Sequence, residues 1–235
     1  MTELSKLEKK IDIEFENKDL LKEALTHRSY INENPSWKLP HNERLEFLGD
    51  AVLELAVTEN LFKEYPNSPE GELTSIRAAL VNYQMLSQIA RNMQLDDFIL
   101  LSRGEAKEPK AGKAREVILA NAFESLLGAI YLDRGYAKAE EFIKRNVLIN
   151  LPEVMENQLY EDPKSLLQEI IQEKSKVTPN YKILSERGPD HAKIFRVGVY
   201  FDERLIAEGE GSSKQEAEIE AAKNALKDIE GLKDC

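Results

Sequence analysis

The chain has 235 residues, 42% hydrophobic and 32% charged, which suits one sizeable globular core or a main domain with a small appendage. Its single cysteine, Cys235, excludes an internal disulfide and a cysteine-rich metal site; no apolar run is long enough to cross a bilayer, and the charged opening MTELSKLEKK lacks a secretory core, so a cytoplasmic location is expected. The net charge of −11 argues mildly against a nucleic-acid partner, and neither part is basic (−4 from Tyr160 onward, with 12 Lys and Arg against 16 Asp and Glu, leaving −7 before it).

Apolar spacings of three and four predict helices over 20–27, 42–62, 73–93, 117–132 and 138–148. Between them lie the punctuated segments NENPSWKLP, EYPNSPEG and SRGEAKEPKAGK, the last read as a solvated loop. Residues 1–150 are expected to be an all-α domain. A composition shift over 151–162 is expected to be a linker with a short helix. The pattern then changes to a helix, SLLQEIIQEKSK, and alternating strands over 181–186, 194–201 and 205–208. A final helix packs Ala217, Ala221, Ala222, Ala225 and Leu226. The fold class expected for 163–232 is α+β, in the order α-β-β-β-α, with two helices covering one face of an antiparallel sheet.

Two of the predicted helices carry acids that need an explanation. In HNERLEFLGDAVLELAV, residues 41–57, Glu46 and Asp50 are one turn apart and Glu43 neighbours Glu46, all beside a broad apolar surface. A solvated helix edge is one explanation. In VILANAFESLLGAIYLD, residues 117–133, Glu124 lies in a run too apolar for a broad wet face, with Asn121 one turn earlier. An unpaired buried carboxylate is costly, so Glu124 is satisfied by an arginine, by backbone donors or by a metal. Bringing Glu46 and Asp50 against Asn121 and Glu124 would make an oxygen-only set. Carboxylates about 5 Å apart repel by roughly 3 kcal/mol at an effective dielectric near 20, and a divalent cation balances them. Hard oxygen ligands point to Mg²⁺, with Mn²⁺ as a substitute, and so to phosphodiester hydrolysis.

HNERLEFLGDAVLEL resembles the signature segment of the ribonuclease III family, and ILANAFESLLGAIYLD resembles its second catalytic helix. The resemblance implies that Glu46, Asp50 and Glu124 are metal-binding catalytic residues. Asn121 stands where the family typically has aspartate; its carbonyl oxygen can still ligate a hard cation, without adding charge. Glu43 matches a residue near the subunit boundary and substrate, and Glu70 in PEGELT an acid associated with cleavage or a second metal. A homodimer is implied, for which the apolar excess of 117–132 offers a surface. So are products with 5′-phosphate and 3′-hydroxyl ends and two-nucleotide 3′ overhangs, in ribosomal precursor and messenger RNA processing.

The α-β-β-β-α segment resembles a double-stranded RNA-binding domain, which reads an A-form duplex by shape, 2′-hydroxyls and phosphates. The resemblance places Gln168 and Gln172 of its first helix and His191 of the GPDH turn at minor grooves. Ser213 and Lys214 at the start of its last helix fall at phosphate. Gln215 stands where a second lysine is often seen. Lys107, Lys110, Lys113 and Arg115 read either as a phosphate-facing cluster or as a solvated loop, and Tyr30 and Trp37 as packing residues. A second reading, favoured by Asn121, is a regulatory protein that binds duplex RNA and cuts it weakly or not at all.

Overall fold

The computed structural model describes residues 3–110, 112–175, 178–189 and 193–231. The chain divides between Tyr160 and Glu161 into two compact units, the first all-helical and the second α-β-β-β-α.

The first unit contains α1 (Glu3–Ile11), α2 (Lys18–Ala24), α3 (Arg28–Glu33), α4 (Glu43–Glu64) and α5 (Glu70–Val81). It continues with α6 (Tyr83–Asn92), α7 (Arg103–Lys107), α8 (Lys113–Arg134), α9 (Tyr136–Asn146) and α10 (Leu151–Glu156). Helix α8 is the central rod: Leu119, Phe123, Leu126, Leu127 and Ile130 are wholly buried, and Phe123 stacks on Phe142 of α9. Packing along α8 are α4 and α6, with α2 and α9 beside it. Most of the apolar excess of 117–132 therefore goes into the unit's own core, while Val117 and Leu132 at its two ends stay exposed.

Three local features depart from the sequence expectations. The helix expected over 73–93 is two helices, because Asn82 adopts an extended backbone and its side chain accepts from Met85 N–H while donating to the Ala79 carbonyl. The polar segment after Leu101 starts with the short helix α7, capped by Ser102, which accepts from Glu105 N–H. Helix α1 was not foreseen; it buries Leu7 and Ile11. The segment 151–162 contains α10, whose Leu151 and Val154 are buried in the first unit's core.

The C-terminal ends of α1, α6 and α9 line a recess of about 460 Å³ that also holds Lys10 and Arg145. Arg145 donates to the Ile11 carbonyl, and Lys10 bonds the Gln94 side chain. Cations suit the negative ends of helices, so these two have a structural purpose.

The second unit contains α11 (Pro163–Ser175), β1 (Asn180–Arg187), β2 (Ile194–Phe201), β3 (Arg204–Gly211) and α12 (Lys214–Gly231). The sheet runs in the order β1-β2-β3, antiparallel throughout. Val199 meets Leu167 and Ile171 of α11 and Ala221, Ala222 and Ala225 of α12 in a small core. Alanines at those positions let the last helix lie close to the sheet. His191 lies outside the described residues.

Candidate active site and RNA interface

The contact between α4 and α8 sets the acidic site. A Cβ added to Gly49 would stand 1.8 Å from the Glu124 carbonyl oxygen, and one added to Gly128 would stand 2.2 Å from that of Leu45. No side chain fits at either position, so the two backbones touch. Glycine at matched points of two apolar helices is the sequence signal for this approach. Hydrogen bonds fix the rotation: Asn42 N–H donates to Thr26 O over 2.9 Å, and the buried Ser125 hydroxyl lies 3.3 Å from Asn42 O.

This approach brings Glu46 and Asp50 of α4 to the side of Asn121 and Glu124 of α8. Burial pushes the Glu124 carboxyl up from 4.5 to about 8, reinforced by the charges of Asp50 and Glu46. Glu46 is also raised, first by burial, then by Glu43 and Asp50, while a hydrogen bond from Asn121 opposes the rise. Asn121 thus uses its amide on Glu46, a contact an aspartate could not make in its charged form. Asp50 is exposed at the rim. Glu43, also exposed, is 3.4 Å from Arg28 and 3.7 Å from His41.

Glu70 is elsewhere. It opens α5, accepts from Thr74 Oγ1 at 3.1 Å, and lines a recess of about 450 Å³ with Phe62, Leu73 and Arg77. Among the described residues no hydrogen bond or ion pair joins it to Glu46 or Glu124.

Among the described residues no three His, Cys, Asp or Glu side chains are arranged as a metal cage. The donor set nonetheless fits a hard divalent cation: it is all oxygen, and burial and the acidic neighbours oppose ionisation of the Glu124 carboxyl. A cation would relieve that opposition.

The basic residues before and at the start of α8 are mostly committed to structure. Arg115, 7% exposed, pairs with Asp96, and Lys110 lies 3.2 Å from Asp97 and 3.5 Å from Asp96. Arg91 donates to the Lys110 carbonyl at 2.7 Å. His27 caps α3 by accepting from Ser29 N–H, and burial holds its imidazole pKa down. Tyr30 and Trp37 pack edge to face, 5.3 Å apart.

In the second unit Gln168 and Gln172 are exposed on α11. Ser213 caps α12 by accepting from Glu216 N–H at 3.2 Å, and the Lys214 ammonium lies 5.8 Å over the Phe195 ring.

The first unit is helical, with acids meeting at a backbone-to-backbone helix crossing, and the second is an α-β-β-β-α unit. Comparison with known proteins specifies the class. Residues 17–151 match the Ribonuclease-III-like family, and residues 163–229 match the double-stranded RNA binding motif. Ribonuclease 3 of Borreliella burgdorferi is 46% identical over 231 residues, covering 98% of this chain and 93% of that protein. Ribonuclease 3 of Streptococcus pneumoniae is 46% identical over 229 residues, covering 97% of each. The solved nuclease domain of ribonuclease III from Campylobacter jejuni is 44% identical with a TM-score of 0.56, over 63% of this chain and 99% of that one. The chain belongs to the bacterial-type ribonuclease III family.

Proposed function

We propose that this chain is a divalent-metal-dependent endonuclease that hydrolyses phosphodiester bonds of double-stranded RNA. It leaves 5′-phosphate and 3′-hydroxyl ends with two-nucleotide 3′ overhangs, and it serves ribosomal precursor and messenger RNA processing in the cytoplasm. The observation that carries the reading is the meeting of Glu46, Asp50, Asn121 and Glu124 at the α4–α8 crossing, with the Glu124 carboxyl pushed up to about 8. Family membership and the match to an RNA-binding motif over 163–229 support the substrate class.

Glu46, Asp50 and Glu124 would hold Mg²⁺ (or Mn²⁺), with the Asn121 carbonyl oxygen beside them. When bound, the cation supplies charge stabilisation at phosphate oxygens and lowers the pKa of water. The protein's own work is positional. The Asn121 amide favours the ionised form of Glu46 against the rise that burial imposes, the glycine crossing fixes the spacing of the two acid-bearing helices, and Glu43, paired with Arg28, orients substrate at the rim.

Dimerisation belongs to the same reading. Phe47, Leu55 and Phe62 on α4 are 81%, 57% and 72% exposed, and helical geometry places them along one broad side. Large apolar side chains left in water at that spacing suit a self-complementary interface between two copies. Glu70, remote from the cluster within one chain, then acts from the partner side of the dimer or on a second metal. Gln168, Gln172, His191, Ser213 and Lys214 grip the duplex.

Labelled long duplex RNA incubated with the protein, first with Mg²⁺ and then with EDTA, tests this. Cleavage only with metal is expected. Retention of the duplex without cleavage in Mg²⁺ favours the regulatory reading, for which the Asn121–Glu46 hydrogen bond is the structural basis.

A further inference from the structure

Lys164, Gln168 and Gln172 are spaced four apart on α11 and therefore form one row. The two glutamines are exposed, whereas the lysine is partly shielded. Its ammonium is 2.7 Å from Glu218 Oε2 and 4.7 Å above the Tyr181 ring. Glu218 in turn sits one helical turn beyond Lys214, on the same side of α12.

That placement matters for phosphate. The start of α12 offers Lys214 and backbone N–H groups to an anion, yet a carboxylate one turn on would repel it. The other acids nearby are tied to local hydrogen bonds. Glu216 accepts from Ser212 N–H at 3.0 Å and from the Ser212 hydroxyl, and Asp162 accepts from Ser165 Oγ at 2.9 Å. Glu218 is instead met by a cation from the neighbouring helix. The Lys164 and Glu218 side chains are 34% and 29% exposed, so solvent screens the pair less than it would a fully exposed one.

We propose that Lys164 is a positioning residue for duplex RNA: by pairing with Glu218 it neutralises that carboxylate on the α12 face that carries Lys214. The inference rests on the reading of this unit as a duplex-RNA-binding surface. Lys164 itself, held between Glu218 and the Tyr181 ring, does not reach the phosphate. Its contribution is electrostatic and indirect.

The test is equilibrium binding of a blunt synthetic RNA duplex to the full chain in EDTA, across a salt series, with a thermal melt of each variant. Lys164→Met is expected to weaken binding about fivefold at low salt, an effect that fades as salt rises. Glu218→Gln binds at least as tightly as the parent, and Lys164→Arg binds as the parent does. The double variant Lys164→Met with Glu218→Gln recovers the parent affinity and the parent slope of log K against log salt. A double variant that stays weak, with a slope smaller by about one, would make Lys164 a direct phosphate contact and overturn the proposal. So would a Glu218→Gln variant that binds more weakly, or a Lys164→Met variant that melts normally and binds unchanged. Failure of the parent chain to retain the duplex strikes the underlying reading instead.

Discussion

The two units place function differently with respect to their cores. In the helical unit the acids stand at the crossing of its two longest helices, where Gly49 and Gly128 let the backbones touch and Glu124 is largely buried. In the C-terminal unit Gln168, Gln172 and Lys214 project from helices whose opposite faces form the core. Changes at the glycines of that crossing must therefore disturb folding and chemistry together. At the second, binding is separable from stability.

The strongest way to break this contrast is at the crossing. Gly128→Val drives a side chain into the Leu45 carbonyl, and a loss on the order of 3 kcal/mol or more is expected, together with cleavage. Urea unfolding of the variant and parent measures it; parental stability would show that the helices can part without cost.

Glu124→Gln separates the two consequences. Cleavage falls by about a hundredfold or more, because a charged oxygen ligand is gone. Metal-free stability moves the other way. With its carboxyl pKa raised from 4.5 to about 8 in the folded chain, Glu124 favours the folded state when protonated. That contribution is complete below the unfolded value and is lost as pH rises through about 8. Thermal melts in EDTA are thus expected to show the parent losing stability between these pH values, with the Gln variant losing less. Identical pH profiles would remove Glu124 from its buried, like-charged setting.

Asn121→Asp sharpens the electrostatics by adding a fourth carboxylate and deleting the hydrogen bond to Glu46. A Mg²⁺ titration of cleavage is expected to reach half-saturation at a concentration lower by about tenfold, since each added ligand charge strengthens a hard-cation site. An unchanged midpoint counts against Asn121 lying at the metal.

The smallest expected effect lies in the other unit. Lys214→Ala weakens duplex binding severalfold and lowers the salt slope by about one, with little shift in melting temperature. A large drop in melting temperature would mean that the exposed face is part of the fold's support after all.

How legible each unit was in the sequence follows from the same contrast. Glu124 and Asn121 stood out because a charge in VILANAFESLLGAIYLD has no wet face to occupy, and Glu46 and Asp50 because they share a helical turn. The alternation Phe195, Val197, Val199 and Phe201 marked β2 for the same kind of reason. What escaped were features that periodicity does not report. Arg115 read either as part of a phosphate-facing cluster or as part of a solvated loop, but Asp96, from the turn before α7, claims it. The break at Asn82 depends on a side chain choosing the cap over the helix interior, and periodicity on either side hides it. The exposed apolar side of α4 was obscured because Phe47, Leu55 and Phe62 alternate with buried Leu53, Val57 and Leu61, so the pattern shows a helix apolar nearly all round. Lys164 carried no signal until Glu218 was seen opposite it.

Main-chain atoms are the least adjustable spacers a protein has: they carry no rotamers, and substitution leaves them in place. Since Gly49 faces the carbonyl of Glu124 itself, the gap between the acid-bearing helices is gauged by peptide groups instead of by interlocking methyls. Sequence drift elsewhere in the helical unit should accordingly erode its melting temperature well before it alters the gauge of its carboxylates, and an ageing or heat-stressed molecule should stay chemically faithful until it unfolds outright.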